Sequence, residues 1–74
     1  MTLMEAADLL ARRYPGRKVT GYWKRENGYV LNTKPIKAMQ CLTTPDQFVV
    51  TSNGEVYGTN PYREGLDPLD MIKV

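Results

Sequence analysis

The residues able to do chemistry are bounded first by an absence: the chain has no histidine. Without an imidazole there is no Ser-His-Asp or Cys-His arrangement, and the usual zinc sites are closed as well. The single thiol, Cys41, has no imidazole to activate it and no second cysteine to pair with. It reads as a small buried hydrophobe, with a redox or modification site as the sharper alternative. The acids Asp46, Glu55, Glu64, Asp67 and Asp70 do not follow the spacing of a calcium loop. Two carboxylates working across a cleft need a supported concavity, and 74 residues leave little volume for one. The six glycines are isolated at turns or within strands, so no phosphate-cradling loop is present. These residues predict a non-enzymatic chain that uses no cofactor and no metal.

What remains is charge and aromatic surface. Residues 12–37 carry Arg12, Arg13, Arg17, Lys18, Lys24, Arg25, Lys34 and Lys37 against Glu26 alone. Residues 1–11 hold Glu5 and Asp8, and residues 38–74 hold five acids against Arg63 and Lys73. The net charge of +2 therefore conceals a basic first half and an acidic second half. Tyr22-Trp23-Lys24-Arg25 interleaves aromatics with cations, as nucleic-acid-binding strands do. Arg17, Tyr22, Lys24, Arg25, Lys34 and Lys37 form the candidate binding surface. A protein partner fits it, an acidic one gaining from electrostatic steering. Nucleic acid is the alternative, although phosphate binding asks for a more continuous basic surface. The plain reading competes with both: Trp23 is needed for the core, and Lys24 and Arg25 solubilise an exposed hairpin.

The elements that must position these residues are legible in outline. Thr2-Leu3-Met4-Glu5 is a capping box. Leu3, Ala7, Leu10 and Tyr14, widened by Ala6, make one apolar helical face, and Pro15-Gly16 ends the helix, which spans about residues 3–14. Lys18–Arg25 and Tyr29–Thr33 read as paired strands around Asn27-Gly28. A two-residue Asn27-Gly28 turn and a three-residue Glu26-Asn27-Gly28 loop are both open. The second is preferred, because it gathers Val19, Gly21, Trp23, Tyr29 and Leu31 on one face. Gly21 then marks a bulge, or space for a helix side chain. Phe48–Thr51 and Glu55–Thr59 form a second hairpin around Ser52-Asn53-Gly54, its register open. Lys34 to Gln47 is the least readable stretch: Pro35 breaks a strand, Ala38 to Leu42 suits strand, helix or packed loop, and Thr43-Thr44-Pro45-Asp46 is a turn signal. Leu66 to Ile72 reads as a short helix with Asp67 as N-cap, Pro68 at N1, and Leu66 and Met71 as a hydrophobic staple.

The expected fold class is α+β over a single domain, residues 1–74: an N-terminal helix packed on an antiparallel sheet of two β-hairpins, with a short C-terminal helix. Hydrophobic residues at 42% and charged residues at 24% suit a globular chain rather than a disordered one. One cysteine excludes an internal disulfide, no apolar run approaches a membrane span, and Met1 to Arg13 lacks the pattern of a signal peptide. A cytoplasmic protein is expected. A sheet of four short strands has two edges without a central Lys or Pro, so edge pairing with another protein or a second copy is a further binding mode.

The order of helix, Tyr-Pro-Gly (Tyr14 to Gly16), Lys-Val-Thr-Gly (Lys18 to Gly21), hairpin and a final Val-Val-x-x-Asn-Gly-Glu-Val hairpin resembles PepSY-like small domains. It also resembles small bacterial immunity-type proteins found near toxin genes and in prophages. The matching residues are Ala6 to Gly16, Lys18 to Gly21 and Phe48 to Tyr57. At the last turn those relatives carry Thr-Gly or Asp-Gly where this chain has Ser52-Asn53-Gly54. The resemblance implies a non-enzymatic binding or inhibitory domain of bacterial or phage origin, and supplies no catalytic residues.

Overall fold

The computed structural model describes residues 1–36 and 46–74. Lys37, Cys41, the apolar run 38–42 and the turn residues Thr43 to Pro45 lie outside the described residues. The fold is α+β, with α1 (Leu3–Arg13) packed on a five-stranded antiparallel sheet. β1 (Arg17–Arg25), β2 (Gly28–Pro35), β3 (Gln47–Thr51) and β4 (Val56–Thr59) follow one another. A short helix α2 (Pro61–Glu64) and a 3-10 turn (Pro68–Asp70) then lead to β5 (Ile72–Lys73). The spatial order is β4-β3-β2-β1-β5, so the last strand lies beside the first. The sheet thus has one strand more than the two hairpins supply.

The start of α1 is fixed by the expected reciprocal cap: the Glu5 N–H donates to Thr2 Oγ1 and the Thr2 N–H to the Glu5 carboxylate. Its stop is fixed at Tyr14, whose N–H still donates to the Leu10 carbonyl at 2.7 Å while its backbone has left helical geometry. The buried line on the sheet is Ala6 and Leu10, flanked by the partly buried Leu3, Leu9 and Tyr14, and Ala7 sits to one side. Ala6 brings the helix backbone close, and Leu10 fills the space over Leu31, Phe48 and Val50. The Tyr14 ring completes that end, 4.6 Å from Phe48 between centroids.

The first hairpin adopts neither expected register. Arg25 pairs with Gly28, Trp23 with Val30 and Tyr22 with Leu31, so the loop is Glu26-Asn27 and Gly28 already belongs to β2. Packing between strands decides this. Gly28 has φ 147°, and a Cβ there would lie 2.0 Å from the Val50 carbonyl oxygen. The close approach of β3 requires the glycine at this strand position. The Ser52 N–H also donates to the Asn27 carbonyl at 2.7 Å, tying the two hairpin ends together.

That register separates residues expected to share a face. Tyr22, Tyr29, Leu31, Phe48, Val50 and Val56 face α1, whereas Trp23, Val30 and Val49 face the other way. Val19 joins the helix side because the pairing shifts at Thr20, between Val19 and Gly21. The bulge expected near Gly21 is there, and the Thr20 hydroxyl donates to the Asn32 carbonyl while accepting from Asn32 Nδ2.

The far face is covered by the segment after β4, a strap that crosses the sheet to reach β1. Leu66 and Met71 pack on the Trp23, Val30 and Val49 cluster. Trp23 Nε1–H donates to the Asp67 carbonyl at 3.0 Å, and Trp23 is 5% exposed. Asp67 caps the 3-10 turn through the Leu69 N–H, as expected, but the turn spans three residues rather than a full helix. Met71 occupies the space a side chain at Gly21 would need, its Sδ 2.6 Å from an ideal Cβ there. The room at Gly21 is therefore filled by the strap, not by α1. The second hairpin takes the three-residue loop: the Thr51 N–H donates to the Glu55 carbonyl, and Gly54 has φ 87°.

Trp23→Ala is expected to cost about 3–5 kcal/mol in a urea melt, as removal of a large buried ring does. Trp23→Phe, which keeps most of the packing and loses the bond to Asp67, should cost about 1–2 kcal/mol. A loss below about 1 kcal/mol for the alanine variant would contradict burial under the strap.

Candidate functional site

The candidate surface does not assemble into one patch. Arg17 is structural: its side chain is 5% exposed, its Nε–H donates to Thr33 Oγ1 and its Nη2 to Asp46 Oδ1, each at 2.8 Å. Its guanidinium lies 5.7 Å from the Phe48 ring centroid, where the ring face favours a cation. Tyr22 packs on the helix-side core, edge-on to Tyr29 at 5.7 Å. Arg25 is ion-paired with Glu64 of α2, which also accepts from Thr59 Oγ1. Lys24 and Lys34 are exposed. They stand at opposite ends of the first hairpin: Lys34 pairs with Lys18, and Lys18 is about 20 Å along β1 from Lys24 at strand rise. Lys37 lies outside the described residues.

Two surface features emerge that the charge pattern did not indicate. The first is a groove of about 190 Å³ at the hairpin ends, with Arg25, Glu26, Gly28, Val49, Thr51 and Tyr57 among its lining. The second is the outer edge of β4. The Thr51–Glu55 bond sets the alternation of the β3–β4 ladder, so Val49–Tyr57 and Gln47–Thr59 are hydrogen-bonded pairs. Val56 and Gly58 therefore direct their N–H and C=O groups away from β3. Among the described residues no strand pairs with that edge.

The two edges of the sheet differ. At β1 the edge is closed by β5, Gly21 pairing with Lys73 and Tyr22 with Ile72, and the Val74 N–H donates to the Thr20 carbonyl at 3.2 Å. β4 carries Val56-Tyr57-Gly58-Thr59, with no charge, proline or bulge within it, and so lacks the devices that blunt an edge. Tyr57 is 45% exposed and is shared by the edge and the groove.

Sequence signals for this arrangement exist in the consecutive apolar triplets Tyr29-Val30-Leu31 and Phe48-Val49-Val50. Unbroken apolar runs mark strands buried on both faces. They imply a second covering layer on the face away from α1.

No group of three or more metal-ligating side chains occurs among the described residues, and no helix among them is long and apolar enough to cross a membrane. No protein-family model, curated protein or solved structure matches the chain.

Arg17→Ala should destabilise the fold by about 2–3 kcal/mol, since it removes a buried side chain, its bond to Thr33 Oγ1 and the cover over Phe48. Lys34→Ala, which removes one of two like charges facing each other, should change stability by less than about 0.5 kcal/mol or raise it slightly. Urea melts of the two variants check this; equal losses would return Arg17 to the surface.

Proposed function

We propose that this chain is a non-enzymatic protein-binding module that accepts an extended segment as a sixth strand beside β4. The observation that carries the reading is the outer edge of β4 at Val56 and Gly58, unpaired among the described residues, with the Tyr57 groove next to it. Strand addition draws affinity from main-chain hydrogen bonds and specificity from pockets for alternate side chains. An edge and an adjoining groove supply both. The groove offers mixed chemistry to a side chain of that strand, Tyr57 and Val49 beside Arg25, Glu26 and Thr51.

The narrower form of this reading is an inhibitory role in the cytoplasm of a bacterium or for a phage, in line with the resemblance to immunity-type and PepSY-like domains. Binding to nucleic acid receives less support. Arg17 and Arg25 are engaged with carboxylates, and Lys24 and Lys34 do not share a patch. A basic stripe able to release several counterions at once is not formed by these four residues.

Peptides selected from a random display library on the immobilised protein provide the test. Titration of such peptides, followed in amide spectra, should shift Val56 to Thr59 and the groove residue Thr51 most. The Tyr57→Lys variant should bind at least about tenfold more weakly, because a central lysine blunts an edge. Shifts centred on Lys18 and Lys34, or equal binding by the variant, would contradict the assignment.

A further inference from the structure

We infer that the strand received by β4 is β4 of a second copy, giving a two-fold, continuous ten-stranded sheet. This rests on the edge-binding reading above and names its partner. The outward-facing residues of β4 are Val56 and Gly58, two positions apart around Tyr57. An antiparallel pairing centred on Tyr57 places Val56 opposite Gly58 of the second copy, and Gly58 opposite its Val56. Both are hydrogen-bonded pairs, and together they satisfy all four outward N–H and C=O groups of each strand. A slip by two residues in either direction pairs an outward group with a turn residue, Gly54 or Asn60, and satisfies fewer.

Side-chain chemistry favours the same register. Tyr57 would face Tyr57 across the two-fold at a non-hydrogen-bonded site, where side chains come closest, and each is 45% exposed in the single chain. Val56 meets a glycine, so no bulky pair crowds the helix side. Glu55 faces Thr59, and no like charges are opposed within the strand. Glu64, behind Thr59, is already matched by Arg25. A symmetric strand edge that is uncharged and self-complementary suits an isologous dimer. The strand is four residues long, so the interface is small and the dimer weak.

Sedimentation velocity on the whole chain from about 10 µM to about 1 mM tests this, the range bracketing a weak contact. The expected result is a shift from monomer to dimer. Tyr57→Lys and Tyr57→Glu should each remain monomeric throughout, and an equimolar mixture should recover a 1:1 dimer through the Lys–Glu pair. Urea midpoints near that of the parent confirm that both variants are folded. A parent that stays monomeric, or a dimer that persists in both variants, overturns the proposal. If the parent is monomeric while selected peptides still shift Val56 and Gly58, the edge serves a foreign strand. In that case the self-pairing fails and the edge-binding reading stands.

Discussion

A tryptophan on the side of a sheet away from the helix α1 must be covered by something else. The pairing of Trp23 with Val30 creates that requirement, because it sends Trp23, Val30 and Val49 to the face opposite Ala6 and Leu10. Burying a ring of this size removes roughly 150–250 Å² from water, a large share of what a small core can supply. The segment after β4 meets the requirement with few contacts. Leu66 and Met71 lie on the cluster, the Asp67 carbonyl accepts the indole N–H, and Gly21 leaves room for the Met71 side chain. The 3-10 turn within it is too short to be stable alone and owes its form to docking.

The same route decides which edge of the sheet is available. To cover Trp23 the strap must cross from β4 to β1, and once there its Ile72 and Lys73 pair with Tyr22 and Gly21. Covering the face and closing the β1 edge are one event. β4, from which the strap departs, keeps its outer side free of any described strand. The functional reading thus follows from the packing of one side chain, with charge in a secondary part. Arg17 and Arg25, the two arginines of the candidate surface, hold Asp46 and Glu64 in place instead of facing a partner.

Where local chemistry decides, the sequence was legible. The Thr2–Glu5 capping box, the Pro15-Gly16 stop, the two hairpins and the Asp67 cap all follow from residue type and spacing within a few positions. The first-hairpin register was not, because the choice depends on β3: the Val50 carbonyl presses on Gly28, and no local rule contains that contact. Preference for a single apolar face also misled. Placing Trp23 with Tyr29 assumes one buried face, whereas the triplets Tyr29-Val30-Leu31 and Phe48-Val49-Val50 describe two. The basic surface dissolved for a related reason. Charge tallies along the chain do not reveal that Asp46 and Glu64, 29 and 39 residues from their partners, neutralise Arg17 and Arg25.

Hydrogen exchange on dilute protein tests in one experiment whether the strap seals Trp23 and whether the outer edge of β4 is unpaired. The Trp23 indole N–H should exchange slowly, in step with global unfolding, and the Tyr57 amide should be protected by β3. The Val56 and Gly58 amides, alternating with it and unbonded to β3, should exchange much faster than the Tyr57 amide. A fast indole N–H, or Val56 and Gly58 amides as protected as Tyr57 in the dilute monomer, would contradict the account.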